Sequence, residues 1–209
     1  MNKLKTILVG DSQVGKTSII NQYIRQSFDE EYLPTIAGDK SMKDLIIENQ
    51  PLTLEIWDTA GQEIYRNVNK IFMKNAKIAL LVYDITSKES FDSLDSWYNQ
   101  ICENNDKENI IIGVVGNKSD LYEERVIEEN EGQNYAERIN GIWGETSAMD
   151  FDSVNSFFEK LAIAYLNKEK QKQKTTSNEK IKEDNNNTVK IEKENHVDNN
   201  KKNEKGGCC

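Results

Sequence analysis

Residues 10–17 carry the stretch that decides the fold, Gly10-Asp11-Ser12-Gln13-Val14-Gly15-Lys16-Thr17. It matches the pattern G-x-x-x-x-G-K-[ST], in which glycines let the backbone wrap a phosphate and point its N–H groups inward. An apolar run ending in Ile7-Leu8-Val9 precedes it, and a helical pattern follows it. The N-terminus of that helix would add positive charge at the phosphate. The stretch predicts a phosphate-binding loop, and the alternative is an ordinary strand–helix turn with an exposed lysine.

The remainder of residues 1–170 alternates short β-rich runs with longer amphipathic segments. Strands are predicted at Lys3–Gly10, Ser41–Glu48, Leu52–Asp58, Ile78–Asp84 and Ile110–Gly116, with a sixth ending at Glu145–Ala148. Helices are predicted at Lys16–Gln26, Lys88–Asn104, Asn130–Ile139 and Asp150–Asn167, and a hairpin turn at Asn49-Gln50-Pro51. The order βαββαβαβαβα predicts an α/β fold with a doubly wound, mostly parallel six-stranded sheet. One edge strand is antiparallel and about five helices flank the sheet.

Composition divides the 209 residues into two parts. Residues 171–209 contain no Phe, Tyr or Trp, and their nine lysines against seven acidic residues give a net charge of +2. A segment this polar cannot offset the entropy of ordering itself, so we expect a disordered tail. Residues 1–170 hold 18 basic and 29 acidic residues, a net charge of −11, and are expected to form one domain. That acidity argues against nucleic acid as a partner.

Two clusters of polar residues follow predicted strands, at the sheet edge where ligands of such folds bind. Asn117-Lys118-Ser119-Asp120 follows one strand, and Glu145-Thr146-Ser147-Ala148 ends another. A carboxylate can accept two hydrogen bonds from guanine, so a buried Asp120 would select guanine over adenine. Alone, either cluster could be a polar turn, and the phosphate loop alone is shared by kinases, ATPases and GTPases. An ATP-dependent phosphotransferase, in which Asp120 is incidental, therefore stays an open alternative.

Together with Asp58-Thr59-Ala60-Gly61-Gln62-Glu63, these clusters resemble the guanine-nucleotide motifs of Ras-superfamily small GTPases over residues 3 to about 168. Trp57, Tyr65-Arg66, residues 81–86 and the terminal Cys208-Cys209 resemble the Rab branch. The resemblance implies a P-loop G domain that binds GTP or GDP with Mg²⁺ and hydrolyses GTP. The nucleotide-binding residues that it implies are Gly10, Asp11, Ser12, Gln13, Val14, Gly15, Lys16, Thr17, Ser18, Phe28, Thr35, Asp58, Gly61, Asn117, Lys118, Asp120, Ser147, Ala148 and Met149.

The resemblance also implies individual roles. Thr17 and Thr35 would ligate Mg²⁺ directly and Asp58 through a water. Gln62 would be the catalytic residue that orients the attacking water. Phe28 would stack on the base, although a core position is the alternative for this residue.

Hydrolysis is expected to be slow without an activating protein, because the loop before Thr35 has no evident arginine. Ser12 is small enough to let an activator's arginine approach. Met149 stands where the family usually has lysine after Ser-Ala, a change expected to lower nucleotide affinity somewhat.

The expected effector face comprises Ile36, Lys40, Trp57 and Phe72. Here the chain departs from the usual Rab sequence, with Ala37-Gly38-Asp39-Lys40 after Ile36 and a lysine in place of an aromatic residue. A GTP-binding scaffold that hydrolyses poorly and has an altered effector face is therefore the runner-up to a Rab-type switch in vesicle traffic.

The last two residues, Cys208 and Cys209, do not fit the C-a-a-X pattern but resemble Rab termini that carry two geranylgeranyl groups. A terminal metal or redox pair is the alternative. Two lipid chains would anchor the protein stably to a membrane. The resemblance therefore implies a lipid-anchored protein on the cytoplasmic face of an endomembrane, cycling with a cytosolic pool. Its partners would be an exchange factor, a GTPase-activating protein, a GDP-dissociation inhibitor, a prenyl transferase with escort protein, and effectors.

Overall fold

The computed structural model describes residues 2–28, 39–59 and 72–173. The chain divides into two units, Met1–Tyr165 and Leu166–Cys209. The first unit contains the sheet and the predicted nucleotide site. In the second unit the described residues, 166–173, are helical, with an ion pair between Lys172 and Glu169. Residues 171–173 are thus helical, whereas the predicted boundary at residue 170 and the predicted disorder of residues 174–209 remain predictions.

Six strands form one sheet. They are β1 Asn2–Val9, β2 Asp39–Ile47, β3 Gln50–Asp58, β4 Ile78–Asp84, β5 Ile111–Asn117 and β6 Ile142–Thr146. Their order across the sheet is β2-β3-β1-β4-β5-β6. All neighbouring pairs are parallel except β2 with β3, so β2 is an antiparallel edge strand. This confirms the predicted α/β fold.

Helices connect the strands. They are α1 Lys16–Arg25, α2 Lys88–Asp92, α3 Leu94–Asn104, α4 Glu129–Arg138 and α5 over residues 151–165 of the first unit. The single helix predicted at Lys88–Asn104 is interrupted at Ser93. The Ser93 carbonyl oxygen accepts hydrogen bonds from the backbone N–H groups of both Ser96 and Trp97. The bond from Ser96 spans three residues and closes a 3₁₀-type turn, which is tighter than an α-helical turn. The helix expected between β3 and β4 falls mostly on residues 60–71, outside the described residues.

The hairpin between β2 and β3 turns one residue earlier than predicted. Ile47 pairs with Gln50, so Glu48 and Asn49 alone form the turn, both with positive φ, of 50° and 62°. Two-residue turns of this kind match the twist of the strands that they join. Pro51, whose ring fixes φ near −65°, cannot occupy such a turn and lies inside β3 instead.

The position of β1 determines where a ligand can bind. β1 lies between β3 and β4. The strands that follow β1 in the chain are therefore added first on one side of it and then on the other. At such a reversal of strand order, the loops at the carboxyl ends of the strands diverge and leave a crevice. The loop over residues 10–17 follows β1 directly and therefore lies at this crevice.

Apolar side chains fill both faces of the sheet. Every residue of β4 is buried, as expected for a central strand covered on two sides. On the face towards α1 and α5, the Tyr23 and Phe158 rings stack with centroids 4.1 Å apart. Burial, with a smaller contribution from Glu159, raises the pKa of the Tyr23 hydroxyl far above its ordinary value. No helix of the described residues is long and apolar enough to cross a membrane.

The stack between Tyr23 and Phe158 gives a stability prediction. Phe158 is 2% exposed, so Phe158→Ala should lower the free energy of unfolding by about 3–5 kcal/mol through the cavity it leaves. The Tyr23 hydroxyl is buried without a hydrogen-bond partner among the described residues. Tyr23→Phe should therefore be neutral or stabilising, by at most about 1 kcal/mol. Urea denaturation at fixed nucleotide concentration measures both, and a large loss in Tyr23→Phe would contradict this account.

Candidate nucleotide site

The phosphate loop depends on two glycines. Gly10 and Gly15 have φ values of 150° and 93°, backbone angles that residues with a Cβ rarely adopt. A Cβ on Gly10 would also collide with the Val82 carbonyl oxygen, and one on Gly15 with the Asn117 side-chain amide. The loop can therefore fold against β4 and β5 only with glycine at both positions.

Lys16 is the charged group at the centre of the loop. Its side chain is 6% exposed, and Nζ donates to the carbonyl oxygens of Gly10 at 2.9 Å and Asp11 at 2.7 Å. Burial lowers the pKa of Lys16 to about 8, and the carboxylates of Asp58 and Asp11 partly oppose this shift. A buried ammonium surrounded by loop backbone is well suited to bind an anion entering the crevice.

Thr17 and Asp58 bring two oxygen groups together beside Lys16. The Thr17 hydroxyl donates to Asp58 Oδ2 at 2.6 Å, joining the start of α1 to the end of β3. The next residue, Thr59, is fixed by a 2.6 Å hydrogen bond from its hydroxyl to the Leu8 carbonyl oxygen of β1. Hydroxyl and carboxylate oxygens are ligands that Mg²⁺ prefers, and Mg²⁺ often takes only one or two from the protein. The pair fits that cation, whereas the described residues contain no group of three or more His, Cys, Asp or Glu arranged to bind a metal.

Asn117 connects the phosphate loop to the two other clusters. Its side-chain amide donates to the Val14 carbonyl oxygen at 2.8 Å, and its Oδ1 accepts from the Thr146 hydroxyl at 3.2 Å. The residue is 1% exposed. One buried amide therefore fixes the phosphate loop, the end of β5 and the end of β6 relative to one another, and the polar-turn alternative does not account for these contacts.

Lys118 adopts a left-handed backbone conformation, with φ of 65°. Its Nζ pairs with Asp84 Oδ2 at 2.5 Å, and the Thr86 hydroxyl donates to the other oxygen of the same carboxylate at 2.7 Å. Asp84 is not among the site residues predicted from the sequence. Its position at the end of the buried β4 was the available signal.

The Asp120 carboxylate accepts a 2.5 Å hydrogen bond from the Ser147 hydroxyl, which also accepts from the Met149 backbone N–H at 3.1 Å. Ser147 and Ala148 are buried, but Asp120 is exposed. Asp120 is exposed because the chain has already left the sheet three residues beyond β5, and recognition of guanine by Asp120 stays a prediction.

The other predicted binding residues that the structure describes differ in exposure. Val14 is buried, Ser12 and Ser18 are half-buried, and Gln13 is exposed. Phe28 and Met149 are 39% and 58% exposed, so the core alternative for Phe28 is wrong. Thr35, Ile36, Gly61, Gln62, Cys208 and Cys209 lie outside the described residues.

Arg125 and Trp97 contact residues of the predicted clusters and are not among the site residues predicted from the sequence. Arg125 forms a two-pronged pair with Glu145, at 2.7 and 2.8 Å, and also donates to the Ile127 carbonyl oxygen. Trp97 donates its indole N–H to Asp11 Oδ1 at 2.7 Å. The contacts of Arg125 with Glu145 and of Trp97 with Asp11 join residues 20 and 86 positions apart, and neither has a local sequence signature.

Lys40, Trp57 and Phe72, predicted on the effector face, lie together. The Trp57 and Phe72 rings have centroids 5.3 Å apart, and Lys40 Nζ lies 5.5 Å from the centre of the Trp57 ring. Lys40 also pairs with Glu55 at 2.9 Å, and this hydrogen bond lowers the pKa of Glu55. The lysine thus covers the tryptophan ring through a cation–π contact.

The fold and the site together define a P-loop nucleotide-binding domain. The family model described as "Ras family" matches residues 5–167. Ras-related protein Rab-7b of Paramecium octaurelia is 36% identical over 209 residues, covering 98% of this chain and 96% of the relative. Ras-related protein Rab-7a of the same organism is 38% identical, covering 81% and 84%. GTP-binding protein ypt3 of Schizosaccharomyces pombe is 39% identical, covering 74% and 72%.

The chain belongs to the Rab family of Ras-superfamily small GTPases. It is therefore a nucleotide-binding molecular switch and a GTP-hydrolysing enzyme, with regulator and effector proteins as its general class of partners. The ATP-dependent phosphotransferase is excluded by this membership.

The pair between Arg125 and Glu145 gives a second prediction. The side chains are 15% and 13% exposed, and the bond to Glu145 raises the pKa of Arg125 against the effect of burial. Arg125→Ala would leave a carboxylate largely desolvated and unpaired, so the free energy of unfolding should fall by about 3 kcal/mol. The matched control is Arg138→Ala, whose pair with Asp95 is more than half exposed and should contribute about 0.5 kcal/mol. Urea denaturation measures both variants. Equal decreases in the free energy of unfolding would contradict the stabilising role of the pair between Arg125 and Glu145.

Proposed function

We propose that this protein is a membrane-tethered Rab-type switch that hydrolyses GTP and regulates intracellular vesicle traffic. The observation that carries the proposal is the double contact of Asn117, with Val14 of the phosphate loop and with Thr146 of β6. These contacts hold the loop over residues 10–17 against the ends of β5 and β6, which supports a site where one ligand reaches both the phosphate loop and the proposed base-recognition loop. The Rab-named relatives support the role in vesicle traffic and an association with endomembranes.

In the proposed nucleotide site, the backbone of residues 10–17 and the Lys16 ammonium bind the β- and γ-phosphates. Asp120 and Asn117 recognise guanine, the stem of Lys118 lies along the base, and Phe28 stacks against it. The exposure of Asp120 and Phe28 in this structure supports the assignment, since a group that receives a ligand must be reachable from solvent. Ser147 already holds one oxygen of Asp120, which sets the orientation of the carboxylate.

The proposed cation is Mg²⁺, held by the hydroxyls of Thr17 and Thr35 and, through water, by Asp58. It supplies charge neutralisation for the phosphates during transfer. The Gly61 backbone N–H contacts the γ-phosphate, where the lack of a side chain permits close approach. Gln62 orients the attacking water. When the γ-phosphate leaves, the contacts of Thr35 and Gly61 are lost, and this loss switches the protein between two states.

The experiment that tests hydrolysis replaces Gln62. Gln62→Leu removes the group that orients water, so single-turnover GTP hydrolysis should slow by about tenfold or more, with and without an activating protein. The matched control is Gln133→Leu, an exposed glutamine of α4, which should hydrolyse GTP at the wild-type rate. If wild type and Gln62→Leu are equally inert even with candidate activators, the protein is the poorly hydrolysing scaffold instead.

The proposed effector face is formed by Ile36, Lys40, Trp57 and Phe72. Its distinctive feature is Lys40, which lies over Trp57 and pairs with Glu55. Lys5 Nζ also lies 5.2 Å from the centre of the Trp57 ring, so two ammonium groups flank one aromatic side chain. An effector that binds here has to tolerate or complement positive charge, which would distinguish its surface from one that fits an aromatic residue at position 40.

The proposed membrane tether is the pair Cys208 and Cys209, each carrying a geranylgeranyl group. One lipid chain gives marginal, reversible binding, whereas two anchor stably, at about 0.8 kcal/mol per buried CH₂. With a net charge of only +2, residues 171–209 add little electrostatic attraction to an anionic bilayer, so the lipid supplies the attachment. The specific partners that follow are a prenyl transferase with its escort protein and a GDP-dissociation inhibitor, beside an exchange factor and an activating protein.

Replacing both terminal cysteines tests the tether. The double change Cys208→Ser and Cys209→Ser removes both thioethers, so the protein should move entirely to the soluble fraction of cells. The matched control is Cys102→Ser, a half-buried thiol of α3, which should leave membrane fractionation unchanged. Unaltered membrane association of the double variant would rule the lipid tether out.

A further inference from the structure

The phosphate loop carries a carboxylate next to the groups that bind phosphate. Asp11 lies directly after Gly10, and its backbone carbonyl oxygen accepts a 2.7 Å hydrogen bond from Lys16 Nζ. Its side-chain charge also reaches that ammonium, because it opposes the fall in the pKa of Lys16. A carboxylate here has two unfavourable effects on an anionic ligand, since it repels phosphate and can compete with phosphate for Lys16.

Trp97 controls where this carboxylate lies. Its indole N–H donates to Asp11 Oδ1 at 2.7 Å, a short bond to a charged acceptor. Trp97 is 3% exposed, lies in the first turn of α3 and packs in the core beside Leu94 and Ile101. The donor is therefore held by a rigid ring, and the carboxylate bound to it loses its freedom to rotate.

The chemistry of the donor suits this task. An indole N–H donates one hydrogen bond and accepts none, and it carries no charge. It can restrain a carboxylate without adding a second cation that would itself compete for the phosphates. Meanwhile the Lys16 ammonium donates to two backbone carbonyl oxygens, which are weaker partners than a carboxylate and are easily exchanged for phosphate oxygens.

We propose that Trp97 is a positioning residue for nucleotide binding, whose indole N–H holds the Asp11 carboxylate away from Lys16 and the phosphates. The inference rests on the proposed function in placing the phosphates at Lys16. It assigns to α3, a helix outside the nucleotide motifs, control over how tightly the nucleotide is held.

Release of a fluorescent GDP analogue tests the proposal. Trp97→Phe keeps an aromatic ring in the core but removes the N–H, so GDP should dissociate about five- to tenfold faster. The same substitution in an Asp11→Ala background should change the dissociation rate by less than about twofold, because the competing carboxylate is gone. A purely structural role for Trp97 would produce the same acceleration in both backgrounds, and that result would overturn the proposal.

A second variant tests the same proposal without replacing a residue of the core. Asp11→Glu retains the charge but moves it one methylene away from the fixed indole N–H, so GDP release should accelerate several-fold with core packing untouched. Wild-type release from Asp11→Glu would contradict the proposal. The matched control is Trp143→Phe, which removes an indole N–H that lies 3.5 Å from the Tyr83 hydroxyl and should leave GDP release unchanged.

A failure of the proposed function would be seen in the wild-type protein, whereas the role of Trp97 is tested by comparing variants. Wild-type protein that retains GDP but does not hydrolyse GTP would remove the switch mechanism and leave the role of Trp97 testable. Wild-type protein that releases GDP within the mixing time would contradict the nucleotide site itself.

Discussion

The site depends on one buried amide, that of Asn117. An amide has both a donor and an acceptor, so a single side chain can satisfy a backbone carbonyl of the phosphate loop and a hydroxyl of the neighbouring strand. Asn117 uses both, with Val14 and Thr146. Because it is 1% exposed, loss of either partner would leave a polar group desolvated, which makes the arrangement strongly preferred over its alternatives. Gly15 belongs to the same arrangement, since any side chain there would displace the amide.

The fold supplies the framework in which one amide can have this effect. Parallel strands end at a common edge, and β1, β5 and β6 each deliver a short polar segment there. Asn117 lies 103 residues from Val14 and 29 residues from Thr146 in the sequence, so local propensity cannot bring these segments together. Because β4 pairs with both β1 and β5, those two strands are held two strand spacings apart, and the segments that follow them are held at a matching distance.

The sequence predicted the strands well, because continuous apolar runs mark Ile78–Asp84 and its neighbours. It predicted the phosphate loop because glycine spacing and a following helix leave a local pattern. It missed the exact hairpin turn, which depends on the positive φ values of Glu48 and Asn49 rather than on the presence of Pro51. Arg125 and Trp97 could not be found from the sequence. A buried ion pair or an indole donor acquires its partner only when the chain has folded, and no spacing rule relates residues so far apart.

For nucleotide binding, the charges close to the phosphate loop matter more than the net charge of the domain. The predicted domain carries a net charge of −11, so a nucleotide approaching from solvent is repelled rather than attracted. At physiological salt this repulsion is screened beyond about 8 Å, and closer in the α1 N-terminus and Lys16 reverse its sign. Nucleotide affinity must therefore be produced within a few ångströms of the loop. Under the role proposed for Trp97, the orientation of one carboxylate in this small region, that of Asp11, decides how much of the charge of Lys16 is left for phosphate.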